Sequence, residues 1–142
     1  GRDTHGYRAV VSRRVSELGL DDKVEWLGHV EGDEKQQLIA DAFWTVMPSH
    51  TENFGIVVLE SLAHNTPVIA SKGSPWETLE TERLGFWVDN SPEELSKVVS
   101  RVIRMDETEY AAYRQRGREF VEQNFDIVNN IGTWTEIYRN LR

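Results

Sequence analysis

Cysteine is absent from all 142 residues, which excludes disulfides and thiolate chemistry. No run approaches the ~20 consecutive apolar residues of a membrane-spanning helix, and the opening GRDTHGYRAVV lacks the charged-then-apolar order of a signal peptide. Positive charge is scarce: 16 Lys and Arg stand against 24 Asp and Glu, for a net charge of −8. A dedicated nucleic-acid binder needs a basic face, so nucleic acid is not an expected partner. Internal repeats, linkers and low-complexity stretches are also missing. These absences permit a cytoplasmic location, with attachment peripheral to the membrane as an option for a longer protein. They leave small anions open as ligands, because helix N-termini and backbone amides hold phosphate without net positive charge.

What is present fits one α/β domain over residues 1–142, within the usual domain size of ~100–200 residues. Apolar residues at 7, 10, 11, 15 and 18 have helical spacing, and Gly19 is a fitting stop. KVEWLGHV alternates Val24 and Trp26 with Lys23 and Glu25, the pattern of a short strand ended by Gly28. Asp33 is the expected N-cap of a helix running to Ala42. FWTVMP then predicts a strand stopped by Pro48, and residues 54–64 a buried helix. Asn65 falls where a left-handed residue often ends a helix.

TPVIAS predicts a fully buried strand. KGSPWETLETE predicts a turn and a helix with Ser74 as N-cap, Pro75 at N1 and Glu77 at N3, a capping box. LGFWVD is another strand. From Ser91 onward the pattern is helical, opened again by Ser, Pro and Glu and closed by a stripe of Ile131, Trp134, Ile137, Tyr138 and Leu141. Helix and strand alternate, which argues for parallel strands with crossover helices.

In an open parallel sheet, ligands sit beyond the carboxyl ends of the strands. That directs attention to the loops LGHVEGD, PSHTENFG and SKGSPWE. The second holds Gly55 at the mouth of a helix and offers the amides of Asn53, Phe54, Gly55 and Ile56, a natural seat for a pyrophosphate. Glu52 precedes that seat. Glu60 lies about 7–8 Å farther along the helix axis at 1.5 Å per residue. The two carboxylates therefore suit hydroxyls on either side of a diphosphate, as in a nucleotide sugar. The plainer reading is a helix-dipole charge at Glu52 and a surface glutamate at Glu60.

The string P-S-x-x-E-x-F-G-I-V-x-L-E-x-L-A-x-x-x-P-V-I-A-S resembles the donor-binding signature of family 4-type retaining glycosyltransferases. DKVEWLGHV, LIADAFWTVMPS, SKGSPWETL and GFWVD extend the resemblance over nearly the whole chain. It implies a Rossmann-like parallel sheet flanked by helices, the C-terminal donor domain of a GT-B fold, with a helical C-terminus. Position by position, it implies that Glu52 contacts the donor sugar in the catalytic site. It assigns Asn53, Phe54, Gly55 and Ile56 to the sugar and diphosphate through their amides, and Glu60 to the ribose diol. It further implies that the backbone of His29 and Val30 lies beside the base. Members of that family generally need no bound metal. This chain agrees, with no Asp-x-Asp pair after a strand and no His/Cys cluster of ligand spacing, so neither cofactor nor metal is expected.

Against that pattern, the match begins late. The first two strands, a loop bearing an Arg and a Lys, and an acceptor-binding N-terminal domain are expected upstream, so the segment by itself is expected not to transfer sugar. An exposed sheet edge is expected to favour self-association. The sugar, the base and the acceptor are not specified. Two other classes compete: a non-catalytic nucleotide or nucleotide-sugar binding module of the same fold, and a retaining glycosidase using Glu52 and Glu60. The glycosidase needs carboxyls ~5–5.5 Å apart across one bond, which glutamates at this helical offset fit poorly. Several other residues have structural explanations: His5 and His50 as loop histidines, His64 as a dipole partner, Glu77 as part of its capping box. The tryptophans are core residues, with Trp76 the one candidate for a site wall. Arg101, Arg104, Arg114, Arg116 and Arg118 form a solvated helical face.

Overall fold

The computed structural model describes residues 6–140, without the side chains of residues 129, 133, 134, 137, 138 and 140. His5 and Leu141, and the side chains of Trp134, Ile137 and Tyr138, lie outside the described residues. Contacts divide the chain into two compact units, residues 1–35 and 36–142.

In the first unit, α1 (Tyr7–Glu17) follows the predicted helical spacing. It stops at Gly19, whose φ is 65°. There the Gly19 amide donates to the Ser16 carbonyl and the Leu20 amide to the Val15 carbonyl, both at 3.0 Å, which closes a Schellman end. The strand expected from Lys23 to its end at Gly28 does not form: residues 24–28 join no ladder. Alternation alone makes no strand, because strand stability comes from pairing and from burial of one face. Here Trp26 is exposed, and the Arg8 guanidinium lies 5.4 Å from its ring centroid instead. Helix α2 (Gly32–Asp41) starts two residues earlier than an N-cap at Asp33 would place it, so Asp33 is not its N-cap but sits with Glu34 in the first turn. There the carboxylates face the positive end of the helix dipole.

The second unit is built on three parallel strands in the order β1 (Thr45–Met47), β2 (Val68–Ser71), β3 (Gly85–Val88). α3 (Ile56–Ala63) connects β1 to β2, and α4 (Thr78–Thr81) connects β2 to β3. The expected α/β alternation is thus present. Every residue of β2 is buried, as the uninterrupted apolar run of a central parallel strand requires. Met47, Val58, Leu62, Val68, Ala70, Trp76, Leu79 and Leu84 form the core. The Ser61 hydroxyl donates to the Val57 carbonyl at 2.7 Å and lies 2.9 Å from the Thr45 hydroxyl, tying α3 to β1.

α5 (Pro92–Ile103) opens as predicted. Ser91 Oγ accepts from the Glu94 amide at 3.2 Å, and Pro92 occupies the first position. α6 (Glu107–Asn124) and α7 (Ile127–Asn140) follow. Tyr110 of α6 is buried and donates to the Phe43 carbonyl at 2.9 Å, and burial pushes its phenol above the ordinary tyrosine range.

The α6 arginines do more than solvate a face. Asn65 (φ 59°) ends α3 in a Schellman motif, as its position predicts: Asn65 N–H donates to Leu62 O at 3.1 Å and Thr66 N–H to Ser61 O at 2.8 Å. Arg83 (φ 54°) ends α4 in the same way, through Arg83 N–H to Glu80 O and Leu84 N–H to Leu79 O. Arg114 donates to the Asn65 carbonyl at 3.0 Å, Arg118 to the Ala63 carbonyl at 2.5 Å and Arg116 to the Arg83 carbonyl at 2.9 Å. Three cations thereby meet the negative ends of the two helices that flank β2. Gly117 brings α6 close to α3, since a Cβ there would lie 2.9 Å from Leu62 Cδ2.

Candidate functional site

Because all three strands are parallel, their carboxyl ends emerge at one end of the sheet. The loops at 48–55, 72–77 and 89–91 meet there, and polar contacts join them. The Ser71 hydroxyl donates to the Ser49 carbonyl. The Glu52 amide donates to the Gly73 carbonyl at 2.8 Å. Asn90 Nδ2 donates to the Pro48 carbonyl at 3.1 Å and lies 3.2 Å from His50 Nδ1. Gly73 is pressed against the backbone of residues 49 and 50, where a Cβ would overlap the carbonyl oxygens of Ser49 and His50.

Two indoles complete the connections. Trp87 Nε1, on β3, donates to the Ser74 carbonyl at 3.0 Å. Trp76 Nε1, in the second loop, donates to the Phe54 carbonyl in the first. Trp76 is buried, so it is a support for the loop rather than a wall of the site. Its ring lies 5.4 Å from that of Phe54 and 6.4 Å from that of Phe125.

The predicted capping box at Ser74 does not form. Ser74 is buried, and both its amide and its hydroxyl donate to the Ser71 carbonyl, at 3.0 and 2.8 Å. That closes a turn and leaves the hydroxyl no part in a cap. α4 begins later, with Glu77 in the cap position, making no side-chain cap bond.

The start of α3 is where the predicted residues come together. Gly55 is the N-cap, in the left-handed region at φ 74°, ψ 59°. A Cβ there would be strained, and it would meet Glu52 Cγ and Met47 Cε at 3.1 Å. No side chain caps the helix, and its first turn holds no acidic residue. The first amide of the turn to find a partner is that of Val58, donating to Gly55 O at 2.9 Å. Among the described residues the amides of Phe54, Gly55, Ile56 and Val57 meet no acceptor. Those of Gly55, Ile56 and Val57 are the orphan donors of a helix N-terminus, reinforced by the dipole, and that of Phe54 comes from the loop just before the N-cap.

Of the four amides expected to form the seat, Asn53 alone is engaged. It donates to Glu52 Oε1 of its own loop at 3.2 Å. Glu52 is half-buried beside Gly55. Glu60, also half-buried, stands on α3 five residues beyond Gly55, roughly 7.5 Å along the axis. Phe54 and Ile56 keep exposed side chains.

His29 and Val30 belong to the N-terminal unit, where His29 Nε2 lies 3.3 Å from Glu31 and Val30 is half-buried. Sequence reasoning passed over Asn90 and Trp87. The rule that ligands gather beyond strand ends would have drawn attention to Asn90, which follows the third strand just as Glu52 follows the first. Lys72 adds a cation at the same end, 3.4 Å from Asp89 and 5.8 Å from the Trp87 ring centroid. An open depression of about 480 Å³, lined by Asn65, Arg114, Gln115 and Arg118 among others, lies at the opposite end of α3 and takes no part in this site.

Comparison with known proteins agrees with this architecture. The family model described as "Glycosyl transferases group 1" matches residues 4–120. An uncharacterized glycosyltransferase of Methanocaldococcus jannaschii is 40% identical over 89 residues, 61% of this chain and 23% of the relative. The solved structure of a sucrose-phosphate synthase from Thermosynechococcus elongatus superposes with a TM-score of 0.83 at 27% identity, over 99% of this chain and 37% of that one. Anabaena HepE, solved in complex with UDP and glucose, gives a TM-score of 0.81 at 25% identity, over 94% of this chain and 36% of its own. The chain thus spans between about a quarter and two fifths of the length of these proteins. The match over residues 4–120, most of its length, makes this chain a member of the glycosyl transferases group 1 family.

Proposed function

We propose that this chain is the donor-binding part of a retaining glycosyltransferase, taking a nucleoside-diphosphate sugar. The observation that carries the reading is the start of α3, where four successive amides lack acceptors between two half-buried glutamates. In the proposed complex the diphosphate accepts from those amides at the positive end of the helix dipole. Glu60 accepts from the ribose diol and Glu52 from hydroxyls of the sugar. For the sugar, Glu52 breaks its local bond to the Asn53 amide, which frees that N–H for the ligand.

During transfer, negative charge develops on the departing diphosphate oxygen, and preorganised amides stabilise it without reorganisation. No strong protein nucleophile is required, which suits a site whose carboxylates are placed for hydroxyls. HepE was solved with UDP and glucose, so UDP and UDP-glucose are reasonable probes.

Calorimetric titration of the 142-residue chain with UDP and with UDP-glucose tests the reading. The expected result is saturable binding of both, with no glucose released or transferred from UDP-glucose. Absence of binding for both ligands at millimolar concentration contradicts the site, and turnover by this segment contradicts its role as a donor-binding part alone.

A further inference from the structure

We infer that Trp76 is a positioning residue for the diphosphate seat, acting through the Phe54–Gly55 peptide and touching no ligand itself; this rests on the donor-site reading above. The peptide unit is planar and trans, so the Phe54 carbonyl and the Gly55 amide point in opposite directions. The Trp76 indole N–H holds that carbonyl. It thereby fixes the peptide plane and turns the Gly55 N–H away from the indole, and that N–H meets no acceptor among the described residues. Gly55 sits in the left-handed region with the rotational freedom of glycine, so nothing in its own chemistry fixes this plane.

Trp76 is itself held. It is 4% exposed, packs on Phe54 and Phe125, and belongs to a loop whose Ser74 carbonyl accepts from Trp87 of β3. A chain of two indole hydrogen bonds therefore runs from β3 through the second loop to the first, ending on the peptide that opens α3. Phenylalanine at position 76 would keep the apolar ring and lose the donor.

The test is calorimetry of Trp76→Phe against UDP and against uridine, which lacks the phosphates. Losing one neutral hydrogen bond that orients the seat should weaken UDP roughly 2- to 12-fold and leave uridine binding unchanged. Equal UDP affinity in the variant and the parent overturns the inference and leaves the donor-site reading intact. Equal losses for UDP and uridine reduce Trp76 to a structural role and overturn it as well. If the parent chain binds no UDP, the donor-site reading fails and this inference with it. Should the variant not fold, hydrogen exchange of the Trp76 indole proton in the parent decides. Slow exchange relative to the exposed indole of Trp26 is expected, and exchange as fast as that of Trp26 denies the bond.

Discussion

Glu60→Gln is expected to weaken UDP and UDP-glucose alike, by about 10- to 150-fold each. A hydrogen bond to a charged acceptor contributes roughly 1.5–3 kcal/mol, and Gln keeps the shape while removing the charge. Both probes carry the ribose, so both lose the same interaction. Glu52→Gln is expected to behave differently. UDP-glucose should weaken over the same range while UDP binding stays nearly unchanged, because only the nucleotide sugar presents hydroxyls to that carboxylate. If Glu52 is a helix-dipole partner instead, its loss costs about 0.3–1 kcal/mol of stability and treats both ligands alike. Titration of both ligands against both variants separates these outcomes. Equal losses across the ligands for Glu52→Gln would remove its assignment to the sugar.

Gly73→Ala should damage fold and site together. The added methyl would overlap the Ser49 and His50 carbonyl oxygens, which are backbone atoms and have no rotamer to change. Relief requires the two loops to part, straining the Glu52 N–H to Gly73 O bond that anchors Glu52. Overpacking of this kind costs ~1–3 kcal/mol, occasionally more. For a chain of this length that is a fall in Tm of roughly 3–12 °C. UDP-glucose affinity should fall more than UDP affinity, since Glu52 moves and Glu60, inside α3, does not. A variant with unchanged Tm and unchanged UDP-glucose binding would mean the loops are not locked in this way.

Much of the local structure that frames the candidate site was legible because its signals are local. The spacing of Glu52 and Glu60, the Phe-Gly step and the buried run at 68–71 each depend on neighbours in sequence, and they predicted the helix, the strand and the junction between them. Asn65 was readable for the same reason, as a left-handed helix end. What failed depended on partners distant in the chain. Residues 23–26 alternate like a strand, yet alternation cannot supply a ladder neighbour. Ser74, Pro75 and Glu77 have the spacing of a capping box, but the carbonyl of Ser71 takes the serine first and delays the helix. The α6 arginines looked solvated because their acceptors, the carbonyls of Ala63, Asn65 and Arg83, lie more than thirty residues away. Trp76 was placed in the right neighbourhood, and only the fold reveals that its indole reaches Phe54.

The central claim is that the open amides at the start of α3 seat a diphosphate. An amide-resolved NMR titration of this chain with UDP examines it directly. The account predicts that the largest shifts fall on Phe54, Gly55, Ile56 and Val57, with smaller ones near Glu60 and little change along α6. Shifts centred on the depression beside Asn65, Arg114 and Arg118, with residues 53–57 unmoved, would contradict it.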